Sequence, residues 1–179
     1  MTRTLAIAVS AGIAVTAAAD HITTYSFELN TEQTNPGANI PDGFNPMGDA
    51  VVNINTLDNE IDWVITYSGL TGPINAPGAH FHGPAAMGSN GGVQVDIVGD
   101  AGGTGAGAPL GQPASGQLIG SYVGMTDQQI SDILGGLWYI NIHTDLNPSG
   151  ELRGQVVPAP AGLGLLGFAG IAASRRTRR

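Results

Sequence analysis

The sequence predicts an all-β domain, a β-sandwich or Greek-key barrel of about seven to eight short strands with one short helix. Several short segments alternate apolar and polar residues, which is the period of a half-buried strand. Glycine supplies 28 of the 179 residues, roughly twice its usual share, as is typical of a turn-rich chain. The chain has no cysteine, so its core must form without disulfides, and Cys-ligated metal sites are excluded.

Both ends of the chain predict export and lie outside the predicted domain. Residues 1–19 contain one cation, an apolar run and small residues before Asp20, the layout of a secretory signal peptide. Residues 161–173 form an apolar stretch that is shorter than the roughly 20 residues of a stable transmembrane segment. Four arginines follow it, so we expect a transient association with the inner membrane.

The C-terminal segment, residues 158–179, resembles the sorting signal of the PEP-CTERM family. That signal combines a Val-Pro-Glu-Pro-like motif, a hydrophobic helix and a basic tail, and here alanine stands in place of the glutamate. The resemblance implies processing by an exosortase and delivery to the cell surface or extracellular matrix of a Gram-negative-type bacterium. The motif consists of Val157, Pro158, Ala159 and Pro160, and the basic tail contains Arg175, Arg176, Arg178 and Arg179.

The charge of the predicted mature domain, residues 20–157, is strongly negative. It contains all fourteen Asp and Glu residues, whereas Arg153 is its one basic residue other than histidine. Nucleic acid and anionic membrane surfaces are therefore poor partners, because a phosphate backbone needs several Lys or Arg contacts. Cations and basic proteins suit this charge. We expect Arg153 to form an internal ion pair, with Glu151, Asp145 or another acid; the alternative is an exposed cation near the hairpin.

The first half of the domain predicts strands in the following order. Residues 21–29 form a first strand and residues 49–70 a hairpin that turns at Asp58 and Asn59. A short strand passes through residues 79–81, and residues 91–100 contain another alternating run. The apolar positions of the hairpin's second arm are Ile61, Trp63, Ile65 and Tyr67, and those of the later strand are Val93, Val95 and Ile97.

The second half begins with a glycine-rich loop over residues 101–116 and a strand near residues 118–123. A helix follows, with Thr126 as N-cap and Gln129 at the capping-box position, and glycines 135–136 end it. Two strands around an Asn-Pro-Ser-Gly turn complete the domain. We expect Trp138, Ile140 and Ile142 to face the core, and Tyr139, Asn141 and His143 to lie on the other face.

Three motifs in this order closely resemble the CHRD domain, over roughly residues 57–156. They are His-x-His-Gly-Pro-Ala, Asn-x-His-Thr and Gly-Glu-Leu-Arg-Gly-Gln. The resemblance implies an extracellular, largely β module. Our leading hypothesis is accordingly a non-enzymatic surface module that binds a protein or an envelope polymer. Besides the histidines, the motif residues are Gly83, Pro84, Asn141, Thr144, Gly150, Glu151, Arg153 and Gly154.

The histidines of these motifs support a second hypothesis, a metal-binding protein. The two-residue period places His80 and His82 on one face of their strand. If the strand that carries His143 is nearby, the three imidazoles form a site suited to copper or zinc. The His-x-His pair on a β-sandwich also resembles the copper-binding strand of Cu,Zn superoxide dismutases, which implies a copper-dependent oxidoreductase as one form of this hypothesis.

The alternative is that these histidines only hydrogen-bond to turn backbone and fix the ends of their strands. His21 lies beside the predicted cleavage site, and we expect it in solvent, apart from the cluster. The sequence contains no nucleophile elbow, P-loop or dinucleotide-binding motif, so no catalytic residue is predicted.

Overall fold

A computed structural model describes residues 21–105 and 107–157 as a β-sandwich. The predicted signal peptide and the sorting tail after Val157 lie outside the described residues. Among the residues described, no helix is long and apolar enough to cross a membrane. The elements are β1 (Ile22–Leu29), β2 (Met47–Asn55), β3 (Glu60–Ser68), β4 (Ala79–Gly83), β5 (Gly92–Val98), β6 (Gly116–Val123), α1 (Asp127–Leu134), β7 (Tyr139–Ile142) and β8 (Leu152–Gln155).

The strands form two four-stranded antiparallel sheets. The first sheet has the order β1-β2-β3-β6 and the second the order β5-β4-β7-β8. This confirms the predicted all-β class and its β-sandwich form, with eight strands and one short helix among the described residues.

The inner face of the first sheet follows the predicted alternation. Ile61, Trp63, Ile65 and Tyr67 of β3 are all at most 5% exposed. The β2–β3 hairpin turns where predicted, and Asn59 there adopts a φ of 53°, which asparagine tolerates better than most residues. Trp63 meets Phe81 of the second sheet edge to face, at 5.4 Å between ring centroids, so an aromatic pair joins the two sheets.

The second sheet separates an apolar inner face from a polar outer face. Ala79 and Phe81 of β4 are fully buried towards the core, together with Ile140 and Ile142 of β7. Because side chains alternate along a strand, the histidines between and beyond them lie on the outer face. Loops cover this face, so its polar residues are buried as well.

Helix α1 carries the chain from β6 in the first sheet to β7 in the second. Thr126 and Gln129 form the predicted capping box: the Thr126 hydroxyl accepts from the Gln129 N–H at 3.2 Å, and the Gln129 side chain accepts from the Thr126 N–H at 2.9 Å. Gly135 caps the C-terminus and Gly136 follows with a φ of 72°. Ile130 and Ile133 attach the helix to the core.

The glycine-rich segment after β5 is a loop, as predicted, and runs along the edge of that strand. The Thr104 N–H donates to the Gln94 carbonyl at 2.7 Å, and the Asp96 N–H donates to the Thr104 carbonyl at 3.2 Å. The loop therefore satisfies backbone groups that an edge strand would leave unpaired. It also closes over the Asp96 side chain, because the Ala101 N–H donates to Asp96 Oδ1.

Candidate metal centre

The structure brings three histidines from two distant segments together on the outer face of the second sheet. The ring centroids of His80 and His82 are 5.5 Å apart, those of His80 and His143 are 5.4 Å apart, and those of His82 and His143 are 5.9 Å apart. One potential ligand atom from each ring lies within 4.8 Å of the other two. His21, in contrast, is exposed and lies outside this cluster, as expected.

Strand pairing is the reason that the histidines meet. β4 lies between β5 and β7, and His80 is opposite Asn141 of β7. His143 follows β7 directly, and its backbone N–H donates to the Gly78 carbonyl at 2.9 Å. Gly78 has a φ of 116°, and a Cβ there would lie 1.9 Å from the Val98 carbonyl oxygen, so only glycine fits this approach.

Backbone carbonyls fix the rings of His82 and His143. His82 Nδ1 lies 3.1 Å from the Gly91 oxygen, and His143 Nδ1 lies 3.0 Å from the Pro148 oxygen. Because a carbonyl can only accept, both Nδ1 atoms carry the proton and both Nε2 atoms carry a lone pair. Neither buried Nε2 atom has a hydrogen-bond partner. This is the arrangement of a metal-binding histidine whose other nitrogen is held by a second group.

His80 has a different neighbour, the carboxylate of Asp96 on β5. The two residues are paired across the strands, and His80 Nε2 lies 3.7 Å from Asp96 Oδ1. Neither ring nitrogen of His80 forms a hydrogen bond of normal geometry, although the residue is 1% exposed; a weaker contact with the Pro77 backbone acts on its pKa. The cluster therefore contains four buried imidazole nitrogens without partners, two of them on His80.

Burial keeps the cluster neutral. Burial, together with the neighbouring His82, lowers the pKa of His80 to about 4 against the opposing effects of Asp96 and the Pro77 backbone. Burial lowers the pKa of His143 to about 3, helped by the other two histidines. The pKa of His82 is also lowered, again mainly by burial. At neutral pH all three rings are thus in the unprotonated form that binds metals.

A stack of side chains supports His82 from one side. The Tyr139 ring is parallel to the His82 ring within 8°, at 5.1 Å between centroids. The Arg153 guanidinium lies over the Tyr139 ring at 3.6 Å from its centroid, which is a cation–π contact. Tyr139 is itself held through its hydroxyl, which accepts from the Gly91 N–H at 3.1 Å.

The prediction that Arg153 forms an ion pair is wrong. Within the described part of the chain the guanidinium contacts no carboxylate, although it is 1% exposed. It donates instead to neutral acceptors: the Ser89 carbonyl at 2.8 Å, Asn90 Oδ1 at 3.2 Å and Gln155 Oε1 at 3.3 Å. The reason is that the 84–91 loop covers the outer face of β8, where Arg153 lies. This loop offers the guanidinium neutral oxygen atoms instead of a carboxylate.

Glu151 is equally buried and is held by neutral donors. Its carboxylate accepts from the Thr71 N–H at 2.6 Å, from the hydroxyls of Thr71 and Thr144, and from Asn147 Nδ2 at 2.9 Å. Asp145, the other acid considered for Arg153, accepts from Asn75. Glu151 therefore ties the loop after β3 to the turn that carries Pro148, the carbonyl partner of His143.

The glycines of the three motifs allow close contacts at three places in the fold. A Cβ on Gly83 would lie 2.4 Å from the Trp138 ring, and a Cβ on Gly154 would lie 2.7 Å from the Glu28 carbonyl. Gly150 has a φ of 123°, and its Cβ would lie 2.2 Å from Asn141 Oδ1. Pro84 follows Gly83 through a cis peptide bond. A side chain at Gly150 would displace Asn141 beside the cluster, whereas one at Gly83 or Gly154 would disturb the packing against Trp138 or strand β1.

Sequence reasoning missed Asp96 and the contact between Tyr139 and His82. The signal for Asp96 is that it is the one charged residue in the run Val93 to Val98. Every other residue of this run except Gln94 is apolar. Its position against His80 depends on the β4–β5 register, which contains irregularities on both sides of His80 and Phe81. The sequence contains no visible signal for that register.

The chemistry available at the cluster is that of neutral nitrogen ligands. Imidazole suits copper, zinc, nickel and iron, whereas calcium and magnesium prefer oxygen ligands. No carboxylate belongs to the group of described residues whose ligand atoms converge here. A three-imidazole set leaves further coordination positions for water or another ligand.

Comparison with protein families gives one assignment. The model of the CHRD domain matches residues 25–156, which extends the similarity expected from the motifs towards the N-terminus by β2 and most of β1. No curated protein and no solved structure matches the chain at a significant level. Since the family model covers well over half of the chain, this protein belongs to the CHRD domain family.

Proposed function

We propose that this protein is an exported CHRD-domain module that binds one transition-metal ion, copper or zinc, through His80, His82 and His143. The observation that carries the proposal is the convergence of three neutral imidazoles whose ligand atoms lie within 4.8 Å of one another. The expectation of a protein- or polymer-binding module without metal depends on the family alone. A metal-binding module need not be an enzyme, and the proposal includes no catalytic step.

The purely structural role of these histidines explains only two of their six ring nitrogens. The Nδ1 atoms of His82 and His143 fix their loops through backbone carbonyls. Their Nε2 atoms are buried without a donor in reach, and an unpaired buried acceptor costs about 1–3 kcal/mol. A cation between the rings would satisfy these acceptors together.

The acidic domain and the neutral site both favour a cationic ligand. Arg153 is the one Lys or Arg between residues 20 and 157, so the surrounding field attracts cations. Among divalent ions, nitrogen sites bind copper(II) more tightly than zinc. Copper is therefore the first metal to test.

The place of action that we propose is the cell envelope. CHRD domains are typical of extracellular proteins, which is consistent with secretion through the predicted signal peptide. Processing by an exosortase would then remove the tail after about Pro160. Intact-mass measurement of the exported protein tests this, and a mass that still includes Arg179 would contradict it.

The metal proposal is tested by elemental analysis of purified protein. The protein is stripped with a chelator, loaded with copper or zinc and desalted. We expect one metal ion per chain in the wild type and a loss of that metal in His82→Ala. His21→Ala is the matched control, because His21 is exposed and outside the cluster, and it should retain the metal.

Two results would contradict the proposal: a wild-type protein that retains no metal, or metal retained at full stoichiometry by His82→Ala. His143→Gln provides a second variant with a smaller change in volume. Circular dichroism of each variant checks that loss of metal does not reflect loss of fold.

A further inference from the structure

Asp96 is a buried carboxylate that the fold leaves incompletely satisfied. It is 2% exposed, and its Oδ1 accepts a hydrogen bond from the Ala101 N–H at 3.0 Å. Its Oδ2 is buried and has no hydrogen-bond partner. Burial of a carboxylate is costly unless the charge is paired or fully hydrogen-bonded.

No Lys or Arg of the described residues supplies the missing positive charge. Arg153 is bound to Ser89, Asn90 and Gln155. The group that faces Asp96 is instead His80, whose Nε2 lies 3.7 Å from Oδ1. This distance exceeds a normal hydrogen bond of about 2.9 Å by roughly 0.8 Å, which a small movement of the ring can close.

We propose that Asp96 is the positioning residue and counter-charge of the metal centre. It accepts the Nε2–H of His80, which leaves the lone pair of Nδ1 for the metal, and its negative charge offsets that of the bound cation. Carboxylates commonly orient metal-binding histidines in this way, and they raise the basicity of the ring. This inference rests on the proposed function.

The arrangement is asymmetric. Neutral carbonyls of Gly91 and Pro148 hold His82 and His143, whereas His80 faces the Asp96 carboxylate in addition to the backbone of Pro77. A negative charge stabilises a divalent ion more than a monovalent one at the same distance. Asp96 therefore favours copper(II) over copper(I), and its removal should raise the reduction potential of the bound copper.

The test compares Asp96→Asn with the wild type in competition with chelators, using copper(II) and copper(I) separately. We expect Asp96→Asn to bind copper(II) roughly 10- to 100-fold more weakly, the range seen when such a partner of a metal ligand is replaced. Its affinity for copper(I) should change several-fold less. Asp100→Asn is the matched control, because Asp100 is exposed and the net charge changes equally, and it should resemble the wild type.

The outcomes separate the two proposals. If the wild type binds no copper, the proposed function itself fails. If the wild type binds copper and Asp96→Asn behaves like Asp100→Asn, only the role of Asp96 is refuted. An equal loss of both oxidation states would show that Asp96 merely maintains the fold around the site, and would also refute the counter-charge.

A measurement on the wild-type protein covers the case in which Asp96→Asn fails to fold. Nitrogen-15 NMR of the metal-free protein distinguishes the histidine tautomers. We expect an Nε2–H tautomer for His80 and Nδ1–H tautomers for His82 and His143. An Nδ1–H tautomer for His80 would overturn the proposal.

Discussion

Two buried ionic side chains, Glu151 and Arg153, lie two residues apart without pairing. Each is at most 1% exposed, and each is satisfied by neutral groups from loops that are distant in sequence. Such contacts hold loops in place, because a charge removed from water needs every available hydrogen bond. Both residues therefore connect the loops that surround the candidate metal centre.

The substitution Arg153→Lys tests this at the residue level. Lysine keeps the charge but loses the planar fork that reaches Ser89 and Gln155 and stacks on Tyr139. We expect the free energy of unfolding to fall by about 1–3 kcal/mol, the cost of unsatisfied buried polar groups. Urea denaturation measures this change, and an unchanged midpoint would contradict the role described.

The titration of the histidines predicts a stability that depends on pH. In the unfolded chain each histidine takes up a proton below about pH 6.5. In the folded chain His80 stays neutral to about pH 4 and His143 to about pH 3. The metal-free protein should therefore lose stability as the pH falls from 6.5 towards 4 and 3, by up to about 1.4 kcal/mol per pH unit for each histidine.

Denaturation of metal-free protein over this pH range gives the slope directly. His143→Gln should have a shallower slope, because one group with a lowered pKa has been removed. Equal slopes in the wild type and the variant would contradict the buried, neutral state of His143.

At the level of the elements, the turn between β7 and β8 determines where His143 is held. Gly150 lies in this turn next to Asn141. The same turn includes Pro148, whose carbonyl oxygen is the partner of His143 Nδ1. A side chain at position 150 would meet Asn141 Oδ1 at 2.2 Å. The turn would have to move, and the His143 ring with it.

Gly150→Ala should therefore lower the free energy of unfolding by more than the strain of a positive φ alone would. Gly88→Ala is the matched control, since Gly88 has a φ of 79° but open space around its Cβ position. We expect Gly150→Ala to be less stable than Gly88→Ala by at least about 1 kcal/mol and to bind metal more weakly. Thermal unfolding and metal titration of both variants provide the comparison, and equal behaviour would contradict the steric explanation.

The sequence predicts many of the strands, caps and turns, because these features depend on residues that are close together in the chain. Neighbouring residues determine the alternation in β3, the capping box of Thr126 and Gln129, and the turn at Asn59. Each of these predictions is confirmed. The contacts of Arg153 and the position of Asp96 are different, because both depend on strand register and loop placement. Neighbouring residues do not specify these.

At the level of the whole molecule, a metal ion should stabilise the fold. The ligands come from β4 and from the end of β7, so the complete site exists only when the second sheet is assembled. An ion that binds the folded state alone adds about 2.7 kcal/mol at a concentration 100 times its dissociation constant. The melting temperature of the wild type should rise on addition of copper and fall again with a chelator.

His82→Ala should abolish this increase, whereas His21→Ala should preserve it. A melting temperature of the wild type that is independent of copper would contradict the link between the site and the assembled sheet. Calorimetric or fluorescence-monitored melting is sufficient, because only the difference between loaded and stripped protein is needed.

The spacing of the ligands along the chain also bears on metal selection during biogenesis. His80 and His143 are separated by β5, β6, α1 and β7, so in the export that we propose a partly translocated chain would offer at most the neighbouring pair His80 and His82 of this cluster. The ion bound by the proposed site would then depend on the metals available in the compartment where folding finishes. A site of nitrogen ligands binds the metal of highest affinity that is present. The compartment in which the protein folds would therefore determine which metal fills the site, rather than the affinity of the site alone.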